Sequence, residues 1–598
     1  MLHCGSSRIR QQEGVDMSIS RTSSATTEAV WEPDTSSTAR LVVRNGLLIL
    51  LVVLIALPLL VLIYTSFLPP GAVPLSGSEL TLDNYRSILT GSGTVALFVR
   101  TIIFAVGSSA IGIVLGISFA YLTERTDLPG RTAVRILMFS WMAVPALVFG
   151  YGWILLLNPG NGIINVMVKA IFNLEQAPFT PYSMQALTVI AGLGAVPTAY
   201  IMVSGLLRNM DPSLEDAAFV SGASRFVILR KITAPLLTPG TLSISIYLIM
   251  TMVQHFDLPM IIGLTAQTPV LSTSIYMAAA PDFGLPNYGL AAAFGVFLAI
   301  LAGALMFMYF RVVHASERYR TVTGKSFRPK LLHLRGLQKV FAILLVGGYF
   351  ALMLMPLLTL AWASLFPYYR LPSFAALADA SFAAYFRVFS EPQTFRVIVN
   401  TVLLFLTSST LAVVLSCLVS WFAVRLGGKS GRAMDLLSFA PTAIPPIVMA
   451  IALLMMFLRT PLNGTIWVIV IGHIAMYLSF GTRAMNGALI QIHRELEDAA
   501  TVSGASWGTS LRKVLFPIIW PHILNTWLWI VAHSARDLTF PLFLLTSSNV
   551  VVATAIYQRW NYPDLPGTAA LCMMLVLALS ALVIPIQIYL EHKNLNKA

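Results

Sequence analysis

Residues 215–240 read EDAAFVSGASRFVILRKITAPLLTPG, and residues 497–521 read EDAATVSGASWGTSLRKVLFPIIWP. The two stretches align at a constant offset of 282 residues, which pairs Glu215 with Glu497 and Gly222 with Gly504. An agreement this long is not a chance event, so the chain contains an internal duplication.

Weaker similarities extend the duplication on both sides. AVPALV at 143–148 aligns with AIPPIV at 443–448, and STSIY at 272–276 aligns with ATAIY at 553–557. The offset of 300 residues for the first pair exceeds the offset of 282 at the loops by 18, so the first copy carries about 18 extra residues near 163–183. The topology below places this insertion outside the membrane.

Long apolar runs surround both copies. The 598 residues are 57% hydrophobic and 11% charged, with a mean hydropathy of +0.79, whereas soluble domains are about 45–50% apolar and about 25% charged. Runs of about 20 apolar residues predict membrane-spanning helices, while barrel strands would be about 10 residues long and alternating. Twelve spans are predicted, near 46–67, 97–122, 134–157, 185–207, 239–263, 289–311, 340–365, 397–423, 434–458, 466–484, 522–546 and 567–590.

The predicted fold is therefore an all-α polytopic membrane protein with two six-helix halves. Six is an even number, so both halves have the same orientation and are related by an axis along the membrane normal. The predicted organisation is a disordered tail (1–45), a first transmembrane domain (46–311), a basic linker (312–339), a second transmembrane domain (340–590) and a short C-terminus (591–598).

The net charge of +13 is concentrated on one side of this topology. Most of the 38 lysines and arginines fall in the tail, the linker and the loops on the side of the N-terminus, so the positive-inside rule predicts that both termini are cytoplasmic. The charge thus reports the orientation of the chain in its membrane. Anionic membrane lipid is a secondary partner, and nucleic acid is not an expected one.

The duplicated stretches lie in two predicted cytoplasmic loops, the first loop segment (211–238) and the second loop segment (493–521). In the first, Asp211-Pro212 is typical of a helix start. Gly222 then permits a turn, Ser224 can cap a second helix, and Pro235 is expected to end or redirect that helix. The prediction is a helix–turn–helix on the membrane surface, whose small alanines let another protein approach closely.

The pattern E-A-A-x3-G-x9-I/V-x2-P resembles the EAA loop of binding-protein-dependent ABC importer permeases, although here an Asp separates the Glu from the alanines. The fused form and the late Arg536-Asp537-Leu538 resemble the ferric-iron-type permeases, a group with relatives for thiamine and 2-aminoethylphosphonate. The resemblance implies two copies of an ATP-binding subunit docked on the loop segments and a periplasmic solute-binding protein. The residues it marks for coupling are Glu215, Asp216, Ala217, Ala218, Gly222, Glu497, Asp498, Ala499, Ala500 and Gly504.

The chain itself is not expected to be an enzyme. Hydrolysis of ATP would need GxxxxGK[ST] to hold the phosphates, but GGKS at 427–430 and TGKS at 323–326 have Ala423 and Tyr319 where the first glycine should be. The sequence likewise predicts no cofactor and no bound metal.

Ionisable residues at membrane depth are costly and are often functional. Asp257 in the fifth span and Arg536 and Asp537 in the eleventh are candidate residues of a translocation pathway; the alternative is hydrogen bonding between helices. On a helix, neighbours such as Arg536 and Asp537 point about 100° apart. Mid-span prolines, such as Pro145 and Pro445, can kink their helices.

The sequence and the resemblance together predict the permease subunit of an ATP-driven importer that moves a small solute, with ferric iron favoured, from periplasm to cytoplasm. The alternative is a secondary transporter driven by an ion gradient. Such a transporter is expected to have an acidic relay in each half, but Asp257 aligns with Thr539 and not with Asp537.

Overall fold

The computed structural model describes residues 35–210, 213–281, 283–317, 331–562 and 564–597. Most of the predicted tail, the Asp211-Pro212 helix start and the middle of the linker lie outside the described residues. Within them, the regular structure is helical, apart from one isolated β-bridge between Thr126 and Leu332.

The first half begins with a spanning helix and alternates long helices with short ones. In chain order its main helices are α1 (Arg40–Ser66), α2 (Asp83–Thr90), α3 (Thr94–Arg125), α4 (Arg131–Ala143), α5 (Ala146–Leu156), α6 (Ile163–Phe172), α7 (Met184–Arg208), α8 (Ser213–Val220), α9 (Leu229–Val253), α10 (Leu271–Ala279) and α11 (Tyr288–His314).

The second half repeats this order without a counterpart of α6, and its short helix α20 stands where the first half has a π-type turn at Pro259–Gly263. Its main helices are α12 (Leu337–Ser364), α13 (Ala383–Ser390), α14 (Pro392–Arg425), α15 (Gly428–Ala443), α16 (Pro446–Phe457), α17 (Ile466–Ile490), α18 (Glu495–Val502), α19 (Gly508–Arg536), α20 (Thr539–Phe543), α21 (Val552–Trp560) and α22 (Leu565–Ile586).

Ten of the described helices are long and apolar enough to cross a membrane, and there are up to twelve spans if each of two bent pairs counts as one. The bent pairs correct the predicted continuous helices 134–157 and 434–458: α4 meets α5 at 100°, and α15 meets α16 at 105°. A proline disfavours helical geometry in the residue before it. Val144 and Ile444, which precede Pro145 and Pro445, are accordingly extended, each with ψ 120°.

Two other predicted spans are displaced along the chain. The predicted span 239–263 begins earlier, as α9, and ends at Val253, and the predicted span 522–546 becomes α19, which ends at Arg536. Their apolar runs continue into separate short helices, so hydropathy alone placed the ends too late.

The duplication is visible in matching hydrogen bonds. The Thr101 hydroxyl accepts the Leu271 N–H at 2.9 Å, and the equivalent Thr401 hydroxyl accepts the Val552 N–H at 2.9 Å. The unmatched helix α6 occupies the expected insertion. Buried Asn165 fixes it by donating to three backbone carbonyls and accepting one backbone N–H.

Small residues bring the second and fourth spans of each half close together. A Cβ added at Gly116 of α3 would lie 2.5 Å from the Ala199 Cβ of α7. At the equivalent crossing in the second half, a Cβ added at Gly481 of α17 would lie 2.1 Å from the Ser416 hydroxyl of α14. The glycine is on the second span in the first half and on the fourth span in the second half. The close approach typical of membrane helix pairs is present in both halves.

The end of the linker is attached to the first half. Residues 331–336, called the strap, run beside the turn after α3, where the Leu332 N–H donates to the Arg125 carbonyl at 2.9 Å. The Leu334 N–H donates to Asp127 Oδ1 at 2.8 Å, and His333 Nδ1 lies 2.8 Å from Asp127 Oδ2. The strap, the loop segments and the adjoining ends of α3 and α14 lie on one face of the molecule, called the loop face.

Candidate functional site

Each loop segment contains a short exposed helix, α8 or α18, followed by a turn at a glycine. Gly222 and Gly504 have φ of +84° and +82°, a conformation that glycine adopts without strain. Ser224 and Ser506 then accept a backbone N–H from three residues later, each at 3.4 Å, as caps of the next helix. The expected helix–turn–helix is therefore formed in both halves.

Pro235 was expected to end or redirect the second helix, and the structure excludes an end at this proline and at its equivalent Pro517. Helix α9 continues through Pro235, and α19 continues through Pro517. A wide π-type turn precedes each proline, over Leu229–Thr233 and Leu511–Leu515. A proline lacks the N–H of a regular turn and clashes with the carbonyl four residues earlier, and a wider turn relieves that conflict.

The tips of the loop segments are exposed and partly apolar. Val220 is 86% exposed and Val502 is 89% exposed. The marked residues show the same pattern in both halves, in which the Asp and first Ala are exposed while the Glu and second Ala are half-buried. An exposed apolar surface of this kind is typical of a protein–protein contact.

The glutamates face inward, to the arginine that ends the preceding long helix. Glu497 Oε1 lies 2.7 Å from Arg425 Nε, and its Oε2 accepts the Trp421 indole N–H at 3.1 Å. Glu215 Oε2 lies 3.8 Å from Arg125 Nε, and its Oε1 accepts the Thr233 hydroxyl at 2.7 Å.

These arginines were missed from the sequence. Arg125 and Arg425 align at the offset of 300 residues, and a charged residue at the same end of two equivalent spans was the available signal. Their side chains are 3% and 9% exposed, so each loop segment is tied to α3 or α14 by a largely buried ion pair.

A cavity of about 330 Å³ lies between the two halves, beside the bent pair α4 and α5. The three predicted pathway residues, Asp257, Arg536 and Asp537, all line it. Other polar lining residues are Thr198, Thr251, His255, Tyr477 and His533.

The predicted geometry of Arg536 and Asp537 is corrected by the structure. Arg536 is the last residue of α19, whereas Asp537 is extended, with φ −67° and ψ 132°. The two side chains therefore are not neighbours on one helix. Asp537 Oδ2 lies 3.1 Å from His473 Nε2 and accepts the Phe540 N–H at 3.1 Å, so it is held from two helices.

Arg536 joins the two halves, because its Nη1 donates to the backbone carbonyl of Met142 in the first half. The Thr539 hydroxyl makes a second link by donating to Asp257 Oδ1 at 3.4 Å. Residues 257 and 539 are equivalent positions in the repeat. Equivalent residues can touch each other only near the axis that relates the two halves, so the polar site lies on that axis.

The site is asymmetric in charge. The first-half equivalents of Arg536 and Asp537 are Gln254 and His255, so the charged pair comes from one half only. No cluster of three or more His, Cys, Asp or Glu side chains that could hold a metal ion occurs among the described residues. The cavity is suited to passing or briefly holding a polar solute.

The chain matches the family model of the binding-protein-dependent transport system inner membrane component over residues 112–319 and 412–594. It is 22% identical to the ferric transport system permease protein FbpB of Actinobacillus pleuropneumoniae, over 83% of this chain and 71% of that protein. It is also 22% identical to the Fe(3+)-transport system permease protein FbpB 2 of Haemophilus influenzae, over 89% of this chain and 96% of that protein. A solved bacterial ABC transporter involved in the import of the acidic polysaccharide alginate covers 49% of this chain with 99% of its own, at 18% identity and a TM-score of 0.38.

Proposed function

This chain belongs to the family of binding-protein-dependent transport system inner membrane components, and we propose that it is the fused permease subunit of an ATP-driven importer. Residues 46–311 and 340–590 are its two transmembrane domains, joined by the linker 312–339. The observation that carries the proposal is the repeated loop segment, with an inward glutamate held by an arginine and an exposed tip in both halves.

Two copies of an ATP-binding subunit dock on the two tips. Asp216, Ala217 and their equivalents Asp498 and Ala499 are exposed and meet these subunits. The glutamates do not meet these subunits directly. Each glutamate connects its tip to the end of α3 or α14. Movement of an ATP-binding subunit is thereby passed to a helix that spans the membrane.

ATP binding closes the two partner subunits and draws the loop segments together, and the halves then rock about the axis near Asp257 and Thr539. A periplasmic solute-binding protein delivers solute to the opposite face. The chain is the two-state element, and its partners bias which state is populated. Solute moves from the periplasm to the cytoplasm, with both termini of the chain on the cytoplasmic side of the inner membrane.

Asp257, Arg536 and Asp537 line the path. Replacing Arg536 by Gln, the residue of the first half, removes a charged hydrogen bond between the halves, and such bonds contribute about 1.5–3 kcal/mol. Uptake is expected to fall at least about tenfold while the ATP-binding subunit still co-purifies. Loss of co-purification would instead show that Arg536 supports the fold.

Ferric iron is the favoured solute, because two relatives that align with most of the chain are named as ferric permeases. A 2-aminoethylphosphonate or a thiamine-like solute is the alternative. Each solute is compared by its stimulation of ATP hydrolysis in vesicles containing the permease, the ATP-binding subunit and the cognate solute-binding protein. Stimulation by only one of the three identifies the cargo.

The decisive test of the function uses the same vesicles to measure uptake of labelled solute. Uptake is expected only with ATP and the ATP-binding subunit, and the double substitution Glu215→Gln with Glu497→Gln is expected to abolish it. Glu175→Gln, an exposed acid far along the chain from both loop segments, is the control. Uptake that persists without the ATP-binding subunit and follows an ion gradient would identify a secondary transporter.

A further inference from the structure

A second cavity, of about 840 Å³, opens at the loop face of the second half. It lies between the end of α11, the start of α15 and the end of α17. The transport proposal uses none of its residues. Its wall includes Gly427, Gly428, Arg432, Asp435, Arg483 and Asn486.

The start of α15 gives this cavity a positive end. Gly427 and Gly428 have φ of +60° and +65°, so a glycine-specific turn leads directly into the helix. The first N–H groups of a helix have no partner within it, and together with the helix dipole they favour an anion. The stretch GGKS, which lacks the first glycine of an ATP-binding loop, thus forms the start of a helix that lines a cavity.

Two arginines add formal charge. Arg483 lies over the Phe439 ring at 4.1 Å and pairs with Asp435 at 3.4 Å, and Asn486 also donates to that carboxylate at 3.0 Å. The acid is therefore neutralised by its own neighbours. Arg432 is exposed and has no ion-pair partner in the described part of the chain, so a net positive charge faces the cavity.

Asn486, a half-buried residue of the cavity wall, has an acceptor atom without a partner. The Asn486 Oδ1 atom is buried and accepts no hydrogen bond from the described residues. A buried acceptor without a donor costs about 1–3 kcal/mol. A ligand that presents a hydroxyl beside its anionic group would satisfy this oxygen.

The rim of the cavity is apolar and exposed. Leu436 is 72% exposed and Ile490 is 71% exposed. Both belong to helices of the membrane bundle, so these side chains can contact acyl chains while the arginines contact a headgroup. A basic pocket between membrane helices with an apolar rim fits an anionic phospholipid.

The equivalent place in the first half is filled by the protein itself. Asp127 replaces Gly427 and binds the strap. Arg135 replaces Asp435 and pairs with buried Glu124 at 2.8 Å. Arg208 replaces Ile490 and binds the same glutamate at 2.9 Å. One half is therefore closed by internal contacts at the position where the other half is open.

We propose that this cavity binds the phosphate of an anionic glycerophospholipid whose headgroup carries a hydroxyl. Arg432, Arg483 and the start of α15 hold the phosphate, Asn486 accepts the headgroup hydroxyl, and Leu436 and Ile490 contact the acyl chains. The bound lipid does in the second half what the strap and Glu124 do in the first. The inference does not depend on which solute is transported.

The test measures lipid retention by the full-length chain purified from vesicles of phosphatidylcholine with phosphatidylglycerol. Native mass spectrometry of the released protein is expected to show retained phosphatidylglycerol. Arg432→Gln and Arg483→Gln should each weaken retention about fivefold, which corresponds to one arginine near an anionic membrane surface. Arg131→Gln, near the start of the equivalent helix α4, is the matched control and should change nothing.

Arg432→Gln breaks no ion pair within the described chain, so a folding defect cannot explain its effect. Equal retention by wild type and Arg432→Gln would overturn the proposal. A second arm adds inorganic phosphate to protein in phosphatidylcholine alone and records the thermal unfolding midpoint. A midpoint raised by phosphate as much as by phosphatidylglycerol would identify a free-phosphate site and overturn the lipid assignment.

Discussion

At the loop face, α3 and α14 are equivalent helices whose surroundings differ. At the end of α3, buried Glu124 is held by two arginines, and Asp127, just beyond the helix, holds the strap. At the end of α14, the same positions are Val424 and Gly427, and a cavity opens instead. The glutamate–arginine pair of the loop segment is nevertheless kept in both halves. The duplication has thus preserved the connection to the loop segment and changed what supports it.

The connection itself is tighter in the second half. Glu497 is 2.7 Å from its arginine and Glu215 is 3.8 Å from its own. The second half has no buried counterpart of Glu124 at this position, because the equivalent residue is Val424. We infer that the second loop segment depends more on this ion pair than the first does. The first loop segment is also stabilised by the neighbouring Glu124 cluster and by the strap.

The largest expected difference follows from that inference. Glu497→Gln leaves Arg425 largely buried beside a neutral partner and should destabilise the second loop segment by about 3 kcal/mol. Glu215→Gln removes an ion pair that is already 3.8 Å long and keeps an oxygen for the Thr233 hydroxyl, so it should cost about 1 kcal/mol. Hydrogen exchange of α18 and α8, and the affinity for the ATP-binding subunit, measure the two effects. Equal losses would show that the distances do not report the strength of the connection.

The next comparison concerns the clusters behind the loop segments. Glu124 is 6% exposed and accepts three hydrogen bonds from Arg135 and Arg208, so Glu124→Gln should cost about 2–4 kcal/mol. The Asp435 side chain is 40% exposed and pairs at 3.4 Å, so Asp435→Asn should cost less than about 1 kcal/mol. Thermal unfolding midpoints in detergent separate the two. A larger shift for Asp435→Asn would contradict the assignment of the first half as the internally closed one.

The sequence was sufficient for the repeat and the all-helical fold, and the twelve predicted spans are the upper limit of the ten to twelve found. The duplicated loop segment and the length of the apolar runs depend only on local composition and spacing. The 100° and 105° bends were not predicted, because hydropathy measures how apolar a run is and not its direction. Pro145 and Pro445 were the available signal, read only as possible kinks.

The site was predicted in its members but not in its arrangement. Asp257, Arg536 and Asp537 stood out as charges among apolar residues. The alignment paired Asp257 with Thr539. From the sequence, this showed only that the two halves do not carry acids at equivalent positions. That these two equivalent residues touch at 3.4 Å, and so mark the axis, depends on how the halves pack. The Arg125–Glu215 contact also joins residues far apart in the chain, and pattern alone does not identify such partners.

The smallest expected effect concerns the strap, which the second half lacks at the equivalent Gly427. The Leu334 N–H and then His333 hold the pKa of the Asp127 carboxyl below its usual value of 3.8. A carboxyl with a lowered pKa in the folded protein stabilises it above the unfolded value and ceases to do so as pH falls through the folded value. Attachment of the strap through this carboxylate should therefore hold from neutral pH down to about 4 and weaken only below it.

Hydrogen exchange at the Leu334 amide, followed from about pH 7 to about pH 3 and corrected for intrinsic rates, measures this attachment. Asp127→Asn should raise exchange at Leu334 severalfold and remove its acid dependence, because the neutral amide keeps an acceptor but loses the charge. Exchange in α15 of the second half should stay the same, since Gly427 binds no strap. If Asp127→Asn also opened α15, the strap would support both halves, and the contrast between a closed first half and an open second half would fail.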